Sequence, residues 1–130
     1  MMPLFALLRS IGIPARLVGT PAWNNDAANG NHNWVEVWQL SNTDEHTASW
    51  SPIEGKPAGG GETLDDPCSL WFCNPAHFPS ASDSNTTTPV YAARFSQDAD
   101  VRYPMAWDLA NIDIPGLFLS ESYAAMCGSC

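Results

Sequence analysis

Residues 32–40, His-Asn-Trp-Val-Glu-Val-Trp-Gln-Leu, constrain the fold more than any other stretch, because their polarity alternates with period two. Successive side chains of a strand point to opposite faces, so Val35 and Val37 share one face while His32, Trp34, Glu36 and Trp38 share the other. A turn-rich loop of Asn, Asp, Ala and Gly over residues 24–31 precedes this strand, and residues 15–23 have strand composition up to Pro21. The polar stretch 41–47 then leads to residues 49–54, which read as an antiparallel hairpin partner. A seven-residue loop of this kind permits several registers.

Ahead of these strands, Leu4, Leu7, Leu8 and Ile11 recur at the spacing of one helical face. Gly12 stands where a left-handed residue would end the helix, and Pro14 prevents its resumption. No capping residue precedes the helix, so the chain reads as starting inside it. Further on, residues 55–67 read as a loop around Gly59-Gly60-Gly61, and residues 68–78 carry the buried-type aromatics Trp71, Phe72 and Phe78. Residues 90–95 suggest one more strand. With Pro104, Pro115 and Gly116, the last thirty residues read as an irregular wrap. The expected organisation is an α+β core over 1–79, a polar linker over 80–89, and a C-terminal strand with an irregular Pro-rich extension over 90–130. A truncated N-terminal helix would pack on an antiparallel sheet.

Charge narrows the partners. Five basic residues face fourteen acidic ones for a net charge of −9, and no two basic residues fall within five positions of each other. A phosphate backbone or an anionic membrane surface would be repelled, so nucleic-acid and membrane binding are set aside. No apolar run approaches the roughly 20 residues needed to cross a bilayer.

The residues suited to chemistry lie in the first half. The segment Leu8-Arg9-Ser10-Ile11-Gly12-Ile13-Pro14-Ala15-Arg16-Leu17-Val18-Gly19 is followed by Gly30-Asn31-His32-Asn33-Trp34-Val35-Glu36-Val37-Trp38 and then by Trp50-Ser51-Pro52-Ile53-Glu54. In order and spacing this resembles the transglutaminase-like superfamily over about residues 4–54. The resemblance implies papain-like chemistry on protein or peptide amides, without a cofactor or metal. A cysteine at a helix N-terminus attacks the carbonyl, a histidine on the neighbouring strand activates the thiol, and an acid orients the imidazole. His32 would be the base and Glu54, four residues after Trp50, the favoured acid. Glu62 is the second option, since Gly59-Gly60-Gly61-Glu62 ahead of Trp71-Phe72 looks similar to a pattern in bacterial relatives. Glu36 is a weaker third, at a recurrent non-catalytic position. Trp34, on the His32 face, would wall the cleft; Trp71 and Trp107 are expected in the core.

The departure from the family is the nucleophile. Its expected place falls at or before Met1, and no cysteine stands ahead of Cys68. As written, the chain is expected to be inactive, either because its front is missing, which the uncapped helix favours, or because it is a peptide- or glycan-binding module using the same Trp-lined cleft. Cys68, Cys73, Cys127 and Cys130 read as two local disulfides, or as a Cys68/Cys73 loop tied to the C-terminal pair, in preference to a zinc site. Their even number and the sequon Asn85-Thr86-Thr87 are compatible with secretion.

Overall fold

The computed structural model describes residues 2–40, 46–54, 66–78, 82–83, 88–96, 98 and 100–130. Glu62, the triple glycine and the sequon lie outside the described residues.

Helix α1 (Met2–Ser10) ends as its glycine dictates. Gly12 takes φ +86°, Ile13 N–H donates to Leu8 O at 3.0 Å, and Gly12 N–H donates to Arg9 O at 3.1 Å. These two bonds close a Schellman motif and satisfy carbonyls that the helix end would otherwise orphan. The chain then turns at Pro14 directly into β1 (Ala15–Thr20). Strand β1 pairs antiparallel with β2 (His32–Leu40), Ala15 opposite Val37 and Thr20 opposite His32. Strand β2 pairs in turn with β3 (Ala48–Ile53), Val35 opposite Ile53 and Trp38 opposite Trp50.

The sheet has six antiparallel strands in the order β3-β2-β1-β4-β6-β5, completed by β4 (Tyr91–Ala93), β5 (Arg102–Tyr103) and β6 (Ile114–Phe118). The architecture is α+β. The C-terminal third is therefore not the irregular extension that its prolines suggested. Pro115 lacks an N–H, but its carbonyl accepts from Arg94 N–H at 2.8 Å, so it still takes part in the pairing of β6. After β6 comes a second helix, α2 (Ser120–Gly128), whose inward positions Ser120, Tyr123 and Cys127 recur at helical spacing.

The two helices cover opposite faces of the sheet. Phe5 on α1 packs with Ala15, Val35 and Val37. On the other face Val18, Trp34 and Ala92 form one cluster with Phe72, Leu119, Tyr123 and Cys127. The period-two alternation of β2 thus separates an aliphatic layer under α1 from an aromatic and polar layer under α2.

Candidate active site

His32 opens β2 at the sheet end, and Glu54 follows the last residue of β3. Continuing the Val35–Ile53 register by one residue sets Glu54 opposite Trp34, diagonal to His32 and on the same face. Diagonal cross-strand neighbours lie about 7–8 Å apart at Cα, within reach of two long side chains. The structure brings the pair together: His32 Nε2 lies 2.6 Å from Glu54 Oε1, with the carboxylate side chain only 5% exposed and the imidazole 23% exposed. A carboxylate accepts and does not donate, so Nε2 carries the proton and Nδ1 of the neutral ring is a bare acceptor.

The imidazole stands in aromatic surroundings. Trp34 stacks near it with centroids 5.7 Å apart, Phe72 lies at 5.5 Å, and Trp71 meets it edge-on at 4.8 Å. Trp34 is fully buried, and its indole N–H donates to Tyr123 Oη at 2.6 Å. It supports His32 from inside the core and presents no surface to a ligand, contrary to the expectation that it walls the cleft. Trp71, expected in the core, is instead 49% exposed. Trp107 is likewise exposed, on a turn away from this cluster. Adjacent aromatics in an irregular loop have no periodicity to say which one turns inward.

Glu36 is buried and structural. One oxygen accepts from Arg16 Nε and the other from the Tyr123 hydroxyl at 2.6 Å. The Arg16 guanidinium also lies over the Trp50 ring, 4.2 Å from its centroid. Burial pushes the Tyr123 phenol well above its ordinary pKa of 10, and the charge and hydrogen bond of Glu36 push in the same direction. Neither Tyr123 nor α2 was recognised from sequence. The Tyr123/Cys127 spacing, i and i+4, is the signal that could have marked an inward face there.

All four cysteines are oxidised, Cys68 to Cys130 and Cys73 to Cys127. Of the pairings open from sequence, the structure has the 68–73 segment tied to the C-terminal pair. Local disulfides are excluded, and no thiolate remains for zinc. Neither Cys127 nor Cys130 is free to act as a nucleophile beside His32.

In comparison with known proteins, residues 3–54 fit the family model described as the transglutaminase-like superfamily. No curated protein and no solved structure matches the chain. The matched stretch holds α1, the first three strands, His32 and Glu54; the aromatic wall at Trp71 and helix α2 lie beyond it.

Proposed function

We propose that this chain, whose residues 3–54 fit the transglutaminase-like superfamily, carries the base and the orienting acid of a cysteine-type acyl-transfer site acting on protein or peptide amides. The observation that supports this reading is the His32 Nε2···Glu54 Oε1 contact of 2.6 Å, which leaves Nδ1 as the acceptor for a thiol proton. In such a reaction Nδ1 takes the proton from sulfur, and the thiolate adds to the amide carbonyl carbon. The imidazolium then returns the proton to the departing amine, leaving a thioester. Water or a second amine resolves the thioester by displacing sulfur, which regains its proton through His32. Glu54 keeps the ring in the right tautomer and stabilises the imidazolium while it exists.

All four cysteine sulfurs are held in disulfides, so these 130 residues supply the base and its orienter without the thiol. On this reading the chain alone does not turn over amides. A variant in which α1 is continued N-terminally by helical turns bearing one cysteine gains hydrolysis or transamidation of a peptide amide. That activity falls at least 100-fold in His32→Ala and by a smaller factor in Glu54→Gln, in line with the usual contribution of a general base, about 10²–10⁴-fold. Turnover that survives His32→Ala refutes the assignment.

The absence of any free thiol, together with the exposed indole of Trp71, favours one second reading: a peptide- or glycan-binding module using the same cleft. A folded, cysteine-bearing variant that binds peptide and cleaves no amide supports that reading over the first.

A further inference from the structure

The segment around Trp71 is unusually well fixed for an irregular stretch. Two short 3-10 turns, Pro67–Ser69 and Pro75–His77, bracket it. Each is capped by a side chain: Asp66 accepts from Cys68 N–H at 2.9 Å, and Asn74 accepts from Ala76 N–H at 2.9 Å. The two disulfides leave the chain at Cys68 and Cys73, on either side of the Trp71-Phe72 pair, and both tie it to the end of α2. Phe72 is fully buried, 4.4 Å from the Trp34 ring. Its neighbour Trp71 is half exposed and meets Phe72 edge-on at 5.6 Å, with its ring 4.8 Å from His32 at 70° and 6.3 Å from Trp23 at 76°.

A half-exposed indole held from both sides of its backbone loses little further freedom when a ligand lies on it. Rigid aromatic surface of this kind is a typical anchor for binding. It also meets the imidazole edge-on, and that imidazole is itself partly exposed. The Glu54 carboxylate is buried and occupied by His32, and the neighbouring rings of Trp23 and Phe72 are apolar. The wall thus offers apolar ring surface beside the imidazole.

We propose that Trp71 is a specificity-determining residue of the His32 site: its exposed indole receives an aromatic or long aliphatic side chain adjoining the amide that His32 serves. The proposal rests on the reading of His32 as the base of an amide site. It assigns to residues outside the family match the selection of substrate, while the matched segment supplies the reacting groups.

The test uses the 130-residue chain as it stands, because it reads binding and not turnover. The isotope-labelled protein is titrated with N-acetyl-phenylalanine amide and N-acetyl-alanine amide, following the Trp71 indole N–H and the His32 ring protons by NMR. The expected result is that both signals move together, with the phenylalanine amide binding at least 5-fold more tightly. Trp71→Ala brings the two amides to equal affinity, and Trp71→Phe restores most of the preference. If His32 responds equally to both amides and Trp71→Ala changes nothing, the proposal falls while His32 remains an amide site. If Trp71 alone responds and His32 stays silent, or neither responds, both the proposal and the amide-site reading fail.

Discussion

The hydroxyl of Tyr123 on α2 donates to Glu36 Oε1 on β2 at 2.6 Å, joining two residues 87 positions apart in a buried contact. The same oxygen accepts from the Trp34 indole, so one phenol satisfies a buried carboxylate and a buried N–H and holds the ring that packs against His32. Tyr123→Phe leaves the Trp34 N–H without its partner and Glu36 Oε1 without its donor, with only Arg16 left on the other oxygen. Unpaired buried polar groups cost about 1–3 kcal/mol each, more when charged, so the variant should lose about 3 kcal/mol in urea unfolding. A loss under 0.5 kcal/mol, on the order of a neutral surface change, would show that water replaces the hydroxyl there.

The tyrosines also set an alkaline limit on stability. Burial pushes Tyr91 up to about 12 and raises Tyr103, and burial together with Glu36 raises Tyr123. In the unfolded chain a phenol loses its proton near pH 10. Above that pH the unfolded state binds fewer protons than the folded one, so stability declines as pH rises. The contribution is whole below pH 10 and is lost as pH climbs through 10 toward 12. Urea midpoints at pH 8, 9.5 and 11 should be similar at the first two and lower at the third, with phenolate absorbance in the native protein delayed beyond pH 10. A native titration of all three tyrosines at pH 10 would contradict the burial that the structure assigns them.

The disulfides are nested, Cys73–Cys127 inside Cys68–Cys130, spanning 54 and 62 positions. In the chain-entropy picture a loop of this size contributes about 4 kcal/mol. Once one bridge has closed it, the second closes only a small ring of about ten residues and adds about 3 kcal/mol. Removing either pair by serine substitution should therefore cost about 3 kcal/mol, and removing both about 7 kcal/mol, so the two single-pair losses do not sum to the double loss. Denaturant unfolding of the three variants checks this. Limited reduction should open Cys68–Cys130 first, since both residues are exposed while Cys127 is fully buried, and mass spectrometry after alkylation reads the order.

The site was legible where local pattern sets direction and opaque where distant segments meet. The alternation of β2 assigns His32, Trp34 and Glu36 to one face, and a hairpin strand with Glu54 four residues after Trp50 carries that acid to the same face whichever even-numbered register forms. The register itself was open, because the connection between β2 and β3 is long enough for several. Helix α2 escaped notice because its inward stripe is Ser120, Tyr123 and Cys127, not the Leu and Ile of α1. Disulfides and a phenol hydrogen bond do there what aliphatic burial does on the other face. Four cysteines allow three pairings, and only the tertiary fold selects between them. Trp34 and Trp71 exchanged their expected places for the same reason: which ring is covered depends on α2 and the 66–78 segment.

Gly19 links the backbone of β1 to the site. A Cβ there would stand 2.5 Å from Asn33 Oδ1 and 2.7 Å from the carbonyl oxygen of His32 itself. The side-chain amide can rotate away, but the His32 carbonyl belongs to the β1–β2 pairing and moves only if the strands part. Gly19→Ala should therefore cost about 1–3 kcal/mol, as overpacking does, and shift the His32 and Trp34 ring signals in NMR spectra. Gly12→Ala is the matched control. A Cβ at Gly12 meets nothing within 4 Å, and its only penalty is the left-handed φ of +86°, about 1–2 kcal/mol. It should lower stability by a similar amount while leaving the His32 signals in place. Equal spectral disturbance from both variants would mean that the site senses global stability and not the strand spacing at Gly19.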